Sequence, residues 1–162
     1  MPIEIEYKFL VHTSLWLASK DRENATVYTI EQGYISTNPE AVVRVRLKNQ
    51  NAYITIKGKA KGAVRPEFEY GIPYSEAQEL LSLCKKRIRK KRFVFSFEGR
   101  QWEVDEFEGE NQPLILAEIE VPSLETSFQT PSWIGEDVTS DHRYSNSSLS
   151  QEPYQQWNSY PS

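Results

Sequence analysis

The sequence predicts an α+β, mainly β domain whose eight strands close into an antiparallel barrel with helices packed outside it. Two observations carry this. Period-two alternation of apolar and polar residues recurs in eight segments, at about 3–10, 28–36, 42–48, 52–58, 65–72, 91–98, 101–107 and 114–121, with turn-like stretches such as Thr37-Asn38-Pro39 and Glu98-Gly99-Arg100 between them. Helical spacing is confined to short stretches. Eight mostly antiparallel strands that close on themselves lose their exposed edges and leave one face of side chains pointing into the barrel.

In order, the first strand reads Ile3-Glu4-Ile5-Glu6-Tyr7-Lys8-Phe9-Leu10, which places Glu4, Glu6 and Lys8 on one face and apolar residues on the other. A short helix near 13–20 follows. The strands at 42–48, 52–58 and 65–72 carry Arg44-Val45-Arg46, Thr55-Ile56-Lys57 and Glu67-Phe68-Glu69. In a stronger helix at 75–87, Ser75 and Gln78 form a capping box ahead of Leu80, Leu81 and Cys84, and Lys85, Lys86 and Arg87 suit its negative dipole end. Lys90-Lys91-Arg92 leads into the next strand, and Glu118-Ile119-Glu120 closes the series. A third helix starts at Ser123 and is limited by Pro131. From Ser145 the chain turns rich in Ser, Gln, Asn and Pro, with Tyr154, Trp157 and Tyr160 interleaved, as in a loop or loosely packed lid. The division expected is one domain over 1–150 and a tail over 151–162.

The 162 residues, 38% apolar and 26% charged, suit one soluble domain with a sizeable core. A net charge of −4 argues against a general nucleic-acid binder. Cys84, the single cysteine, excludes an internal disulfide and a thiolate zinc site, and reads as a buried, inert residue. The N-terminus lacks a signal-peptide pattern, and no apolar run approaches the roughly 20 residues that span a bilayer. The expected compartment is the cytoplasm, with no membrane or nucleic-acid partner; the oligomeric state is not read from the sequence.

Which face of the barrel is polar decides the function. In an ordinary barrel the charged rows are solvated outside, while Ile3/Ile5, Val43/Val45/Leu47 and Ile54/Ile56 fill the middle. Yet each short segment carries like charges two apart on one face, an unfavourable choice for a merely solvated surface and a natural one for a multivalent ligand. In the inverted alternative the polar faces line a tunnel. Glu4, Glu6, Glu67, Glu69, Asp105, Glu118 and Glu120 then crowd a confined space and raise one another's pKa unless cations intervene. Oxygen-rich, His- and Cys-poor sites suit Mg²⁺ or Mn²⁺. Lys8, Arg44, Arg46, Lys57, Arg65, Lys90 and Arg92 would face phosphate, Arg through bidentate contacts and Lys as a point charge.

The triplet Glu4-Ile5-Glu6-Tyr7-Lys8, followed in order by Arg44/Arg46, Lys57, Glu67/Glu69, Lys90/Arg92, Asp105 and Glu118/Glu120, resembles the CYTH domain superfamily, the triphosphate tunnel metalloenzymes. The stretch Glu136-Asp137-Val138-Thr139-Ser140-Asp141-His142-Arg143-Tyr144-Ser145-Asn146 resembles its short bacterial members. The resemblance runs from Glu4 to about Leu149. It implies an eight-stranded tunnel that binds a linear triphosphate, with Glu4, Glu6, Glu118 and Glu120 as first metal ligands and Glu69 and Asp105 behind them. Arg44, Arg46, Lys57, Lys90 and Arg92 would grip phosphates, with Arg65 as a further contact. Lys8 is expected chiefly as a phosphate contact, since a base role needs a depressed pKa.

The implied activity is metal-dependent hydrolysis of inorganic tripolyphosphate to pyrophosphate and phosphate, extending to short polyphosphates. Alternatives within the resemblance are a class IV adenylate cyclase, a thiamine triphosphatase or an RNA triphosphatase; a noncatalytic polyphosphate- or nucleotide-binding module is the alternative outside catalysis. His12 and His142 read as surface or capping residues, and Tyr28, Tyr34 and Tyr53 as packing residues. Lys59-Ala60-Lys61-Gly62 reads as a solvated turn.

Overall fold

Every alternating segment forms a strand, because β-branched and aromatic residues on one face can be buried while the charged face is paired elsewhere. The computed structural model describes residues 2–157. The strands are β1 (Ile3–Val11), β2 (Thr26–Ser36), β3 (Val42–Lys48), β4 (Asn51–Lys57), β5 (Val64–Gly71), β6 (Arg87–Phe97), β7 (Arg100–Phe107), β8 (Ile115–Glu120) and a short additional β9 (Ile134–Asp137). They pair antiparallel in the order β5-β4-β3-β2-β6-β7-β8-β1, and β1 returns to β5, closing eight strands into a barrel. The expected fold class is thus the observed one, with one strand more.

The closing seam is only half zipped. Ile3, Glu4 and Ile5 pair with β5, whereas Phe9 and Val11, farther along the same edge of β1, pair with β9. Between them the Lys8 amide donates to Thr139 Oγ1 at 3.0 Å and Lys8 O accepts from the Val138 amide at 2.8 Å. The C-terminal segment therefore completes the wall beside Lys8.

The helices depart from expectation in detail. The stretch near 13–20 is two helices, α1 (Thr13–Leu17) and α2 (Lys20–Asn24), because Ser19 stops the first and caps the second by accepting from the Arg22 amide. The longer helix, α3, spans Tyr74–Ser82 with Pro73 as N-cap, so Ser75 and Gln78 lie inside it and no side-chain cap forms. Cys84 lies beyond α3, buried against Gly33, where an added Cβ would meet Cys84 Cβ at 2.7 Å. No helix starts at Ser123. A single turn there, Thr126 N to Ser123 O, delivers Phe128 to the aromatic rings of Tyr7, Phe9 and Trp102.

The apolar faces point outward and are covered around two clusters, while Ile3, Val27, Ile35 and Ile56 on the same faces stay exposed. Phe9, Phe93, Phe95, Trp102, Val104, Ala117 and Ile119 pack under Trp16 of α1 and Trp133, and Val45, Leu47 and Ala52 pack under Ala77 and Leu81 of α3. With the apolar rows outside, the alternate rows must face the lumen.

As far as Trp157 the C-terminal segment is packed rather than loose. Asn146–Gln151 forms α4, and its fully buried Leu149 packs with Ile88, Phe107, Leu114, Leu116, Val138 and Tyr144, against which Tyr154 and Trp157 also lie. Tyr160 lies outside the described residues.

Candidate active site

The site is built from two-residue steps along facing strands. Register sets Glu6 beside Glu120 and Lys8 beside Glu118 on β1 and β8, Lys57 beside Glu67 on β4 and β5, and Arg92 beside Asp105 on β6 and β7. Glu4, Arg44, Arg46, Thr55, Lys90, Arg92, Asp105 and Glu118 are all buried, a density of charge that an apolar core does not tolerate and that requires a paired or ligand-binding lumen.

At one end of the lumen Glu4, Glu67 and Glu120 bring carboxylate oxygens within 4.8 Å of one another. Lys57 Nζ reaches Glu4 at 3.1 Å and Glu67 at 3.4 Å, while Glu120 is exposed and has no ion pair among the described residues. The Glu6 carboxylate likewise has no hydrogen bond or ion pair among the described residues. Burial, then the nearby Glu118 and Glu4 charges, push its carboxyl well above the usual carboxylate range. Burial followed by Glu4 and Glu67 raises Glu120 as well. One lysine therefore leaves this cluster of acids under-neutralised. Three convergent carboxylates with a fourth alongside fit a hard divalent cation.

The opposite wall is basic and braced. Arg92 forks onto Asp105 at 2.8 and 2.9 Å and also reaches Glu118 and Glu103; Lys90 Nζ lies 2.7 Å from the same Asp105. Both oxygens of Asp105 are thus engaged by cations of its own wall. Burial opposes its charge, but Arg92 and Lys90 outweigh that and hold its carboxyl far below the usual range. Lys90 is brought down to about 7, chiefly by burial, and Arg46 to about 9 by burial and the neighbouring Arg44 and Arg92. Arg44 donates to Thr55 and Glu69, yet its buried Nε has no partner among the described residues. A buried guanidinium N–H without an acceptor is costly unless an anion meets it. Arg65 spends its guanidinium on Gly58 O.

Lys8 lies between the walls, 3.4 Å from Glu118 and 3.3 Å from Tyr144 O. Burial opposes its charge, but Glu118 and Glu6 outweigh it and raise its pKa. Lys8 therefore remains protonated, as an electrostatic partner must, and is not set up as a base.

Beyond this layer the lumen-facing rows turn apolar. Leu10 follows Lys8, Ile88 precedes Lys90, Phe107 follows Asp105 and Leu116 precedes Glu118, and together with Val138, Tyr144 and Leu149 they stop the barrel at that end. The acidic cluster, set by Glu4 and Glu120 at the other ends of β1 and β8, lies away from this stop.

Sequence reasoning missed Gln32, fully buried, whose Oε1 accepts from Arg46 Nε at 2.8 Å, and the role of Asn146, whose Oδ1 accepts from Lys90 Nζ at 2.6 Å. Gln32 shares the lumen-facing parity of Tyr28 and Tyr34 on β2, and a buried amide on a charged face was the available signal. Tyr34 also belongs to the lumen, its hydroxyl accepting from Gln32 Nε2 at 2.9 Å.

A closed barrel with a charged lumen, acids at one mouth and bases on the facing wall defines a class of anion-binding tunnel proteins. The CYTH domain family model matches residues 2–154, and the chain belongs to that family. It is 48% identical over 153 residues to an inorganic triphosphatase of Acetivibrio thermocellus, covering 93% of this chain and 95% of that one. An inorganic triphosphatase of Nitrosomonas europaea is 34% identical over 151 residues, covering 90% and 95%. Among solved structures, an inorganic triphosphatase superposes with a TM-score of 0.66 at 30% identity, over 93% of this chain and 95% of that one. A Hippeastrum protein at 18% identity shares the fold with a TM-score of 0.60, over 77% and 81%. Among the described residues no helix is long and apolar enough to cross a membrane.

Proposed function

We propose that this chain is a metal-dependent inorganic triphosphatase that hydrolyses tripolyphosphate to pyrophosphate and phosphate. The single observation that carries the reading is the facing of the Glu4/Glu67/Glu120 carboxylates and the Arg44, Arg46, Lys90 and Arg92 cations across one closed lumen. The relatives named inorganic triphosphatase support the substrate class.

Glu4, Glu67 and Glu120 would hold Mg²⁺ or Mn²⁺, with Glu6 and Glu118 adjoining. When bound, that cation polarises phosphate oxygens and lowers the pKa of water. Arg44 and Arg46 neutralise the equatorial phosphate oxygens, and the unpartnered Arg44 Nε supplies a preorganised donor. Lys8 and Lys90 add charge where it accumulates as the bond to the bridging oxygen breaks and its electron pair passes to pyrophosphate. Asp105 serves in this reading as the anchor of Arg92 and Lys90, and Glu69 as the anchor of Arg44.

Arg44→Ala is expected to raise KM for tripolyphosphate about tenfold or more, the loss of a charge-assisted contact of about 1.5–3 kcal/mol, with a smaller change in kcat. Steady-state kinetics at saturating metal test this, and an unchanged KM removes Arg44 from the binding wall. Because Glu6 and Glu120 titrate above their ordinary 4.5 in the folded protein, their contribution to stability is full below that value and is lost as pH rises through the folded values. A cation displaces those protons, so saturating Mg²⁺ is expected to raise the Tm more at about pH 8 than at about pH 5. Equal shifts would place the cation away from these two residues.

The reading itself is tested by incubating the protein with tripolyphosphate, ATP or thiamine triphosphate, each with Mg²⁺ or Mn²⁺, and resolving the products. Rapid phosphate and pyrophosphate release from tripolyphosphate, with little from ATP, is the expected result. Cyclic AMP from ATP would make the protein a cyclase, and binding without turnover a phosphate-binding module.

A further inference from the structure

We propose that Asn146, contributed by the C-terminal segment, is a positioning residue that fixes Lys90 and, through Gln32, Arg46 against the triphosphate; the proposal rests on the hydrolase reading above.

Lys90 is 1% exposed, and its flexible four-carbon stem would ordinarily sample several rotamers. As the ammonium, the form that Asp105 and a bound polyanion favour, it carries three protons. One goes to Asp105 at 2.7 Å and one to Asn146 Oδ1 at 2.6 Å, a short charge-assisted contact. Two fixed acceptors define the direction of the third proton, which a single acceptor would leave free to rotate about the Asp105 contact.

The same Oδ1 accepts from Gln32 Nε2 at 3.1 Å, and Gln32 Oε1 accepts from Arg46 Nε at 2.8 Å. Arg46–Gln32–Asn146–Lys90 is thus one unbroken chain of hydrogen bonds joining two phosphate-facing cations on β3 and β6. An amide suits the junction. It accepts from a cation without adding a negative charge that would compete with phosphate, whereas Asp105 already supplies the one carboxylate Lys90 needs. Asn146 is held in turn by packing, since Leu149, three residues on, is fully buried in the apolar stop of the barrel. The segment that seals the lumen is therefore also the segment that aims its cations.

A merely structural Asn146 would dock α4 and nothing else, and a double-mutant cycle separates the two. Asn146→Ala is expected to raise KM for tripolyphosphate about tenfold with a Tm within a few degrees of wild type. In a Lys90→Met background the same change is expected to cost clearly less than in wild type, because the direct contact is gone and only the route through Gln32 to Arg46 remains. An undiminished factor in the Lys90→Met background, or no effect in either, overturns the proposal. If Asn146→Ala fails to fold, Asn146→Ser is carried through the same cycle. The cycle is also run on tripolyphosphate Kd by calorimetry. Wild-type protein that binds without releasing phosphate then defeats the hydrolase reading alone, while the Kd cycle still decides whether Asn146 positions Lys90.

Discussion

Asp105→Ala is expected to destabilise the protein by about 3 kcal/mol and to abolish measurable triphosphate turnover. Asp105 is 1% exposed and is the shared counter-ion of Arg92 and Lys90. Removing one partner of a buried ion pair leaves an uncompensated charge, which typically costs about 3–5 kcal/mol. The lower figure applies here because Lys90, already at about 7, relieves its share by losing a proton, and Arg92 keeps Glu118 and Glu103. For a chain of this size the loss corresponds to a fall in Tm of about 10 °C. The pH dependence changes with it. Asp105 and Glu118 titrate below their ordinary 3.8 and 4.5, Glu118 at about 2, so the stability they contribute is full above those ordinary values and is lost as pH falls through the folded ones. The variant should therefore lose stability less steeply than wild type between about pH 4 and 2. Denaturant titrations across that range check both points, and a variant of wild-type stability would mean that Arg92 does not depend on Asp105.

Glu4→Gln is expected to lower kcat/KM at fixed metal concentration by about a hundredfold, with the metal activation curve displaced to higher concentration. Glu4 is buried in the Glu4/Glu67/Glu120 cluster, and the substitution keeps the shape while removing the charge. A hundredfold corresponds to about 2.7 kcal/mol, within the several kcal/mol that a Lewis-acid centre supplies to phosphoryl transfer. Folding should survive, because Lys57 retains Glu67 at 3.4 Å. Wild-type metal dependence in this variant would remove the cation from the mouth of the lumen. Glu120→Gln, at an exposed position, is the milder member of the pair.

Strand parity made most of the lumen legible. Like charges two apart, at Glu4/Glu6, Arg44/Arg46 and Glu118/Glu120, are an unfavourable choice for a merely solvated surface, and the observed lumen-facing rows agree with that. Parity failed where the chemistry changed along a row. Ile88, Phe107 and Leu116 share the lumen-facing parity of Lys90, Asp105 and Glu118, and their apolar character concealed both the stop of the barrel and the start of β6 at Arg87. The run Lys85 to Arg92 hid the same boundary, since alternation of one basic residue with another carries no period. β9 escaped notice because four residues reading Ile-Gly-Glu-Asp have little strand character; pairing with β1 creates the strand. The helix expected from Ser123 lost to tertiary packing of Phe128, and the capping box at Ser75 to Pro73, which starts α3 earlier. Pairwise roles such as the Asp105 brace were not legible at all, since they depend on which neighbour reaches an oxygen first.

The half-zipped seam has a consequence for how the protein is made. β1 is made before the other strands, yet its partners lie at residues 64–66, 116–120 and 134–137, so its pairing is completed last. During synthesis both edges of a growing sheet stay unpaired, one of them the alternating Ile3, Ile5, Tyr7 and Phe9 strand, and edges of that kind recruit other chains. Pairings this distant are slow to form, because the entropy of closing so long a loop precedes any reward from contact. The Val138 and Thr139 contacts to Lys8 can form only once that late segment is made, and they cover the stretch of the β1 edge that β5 leaves open.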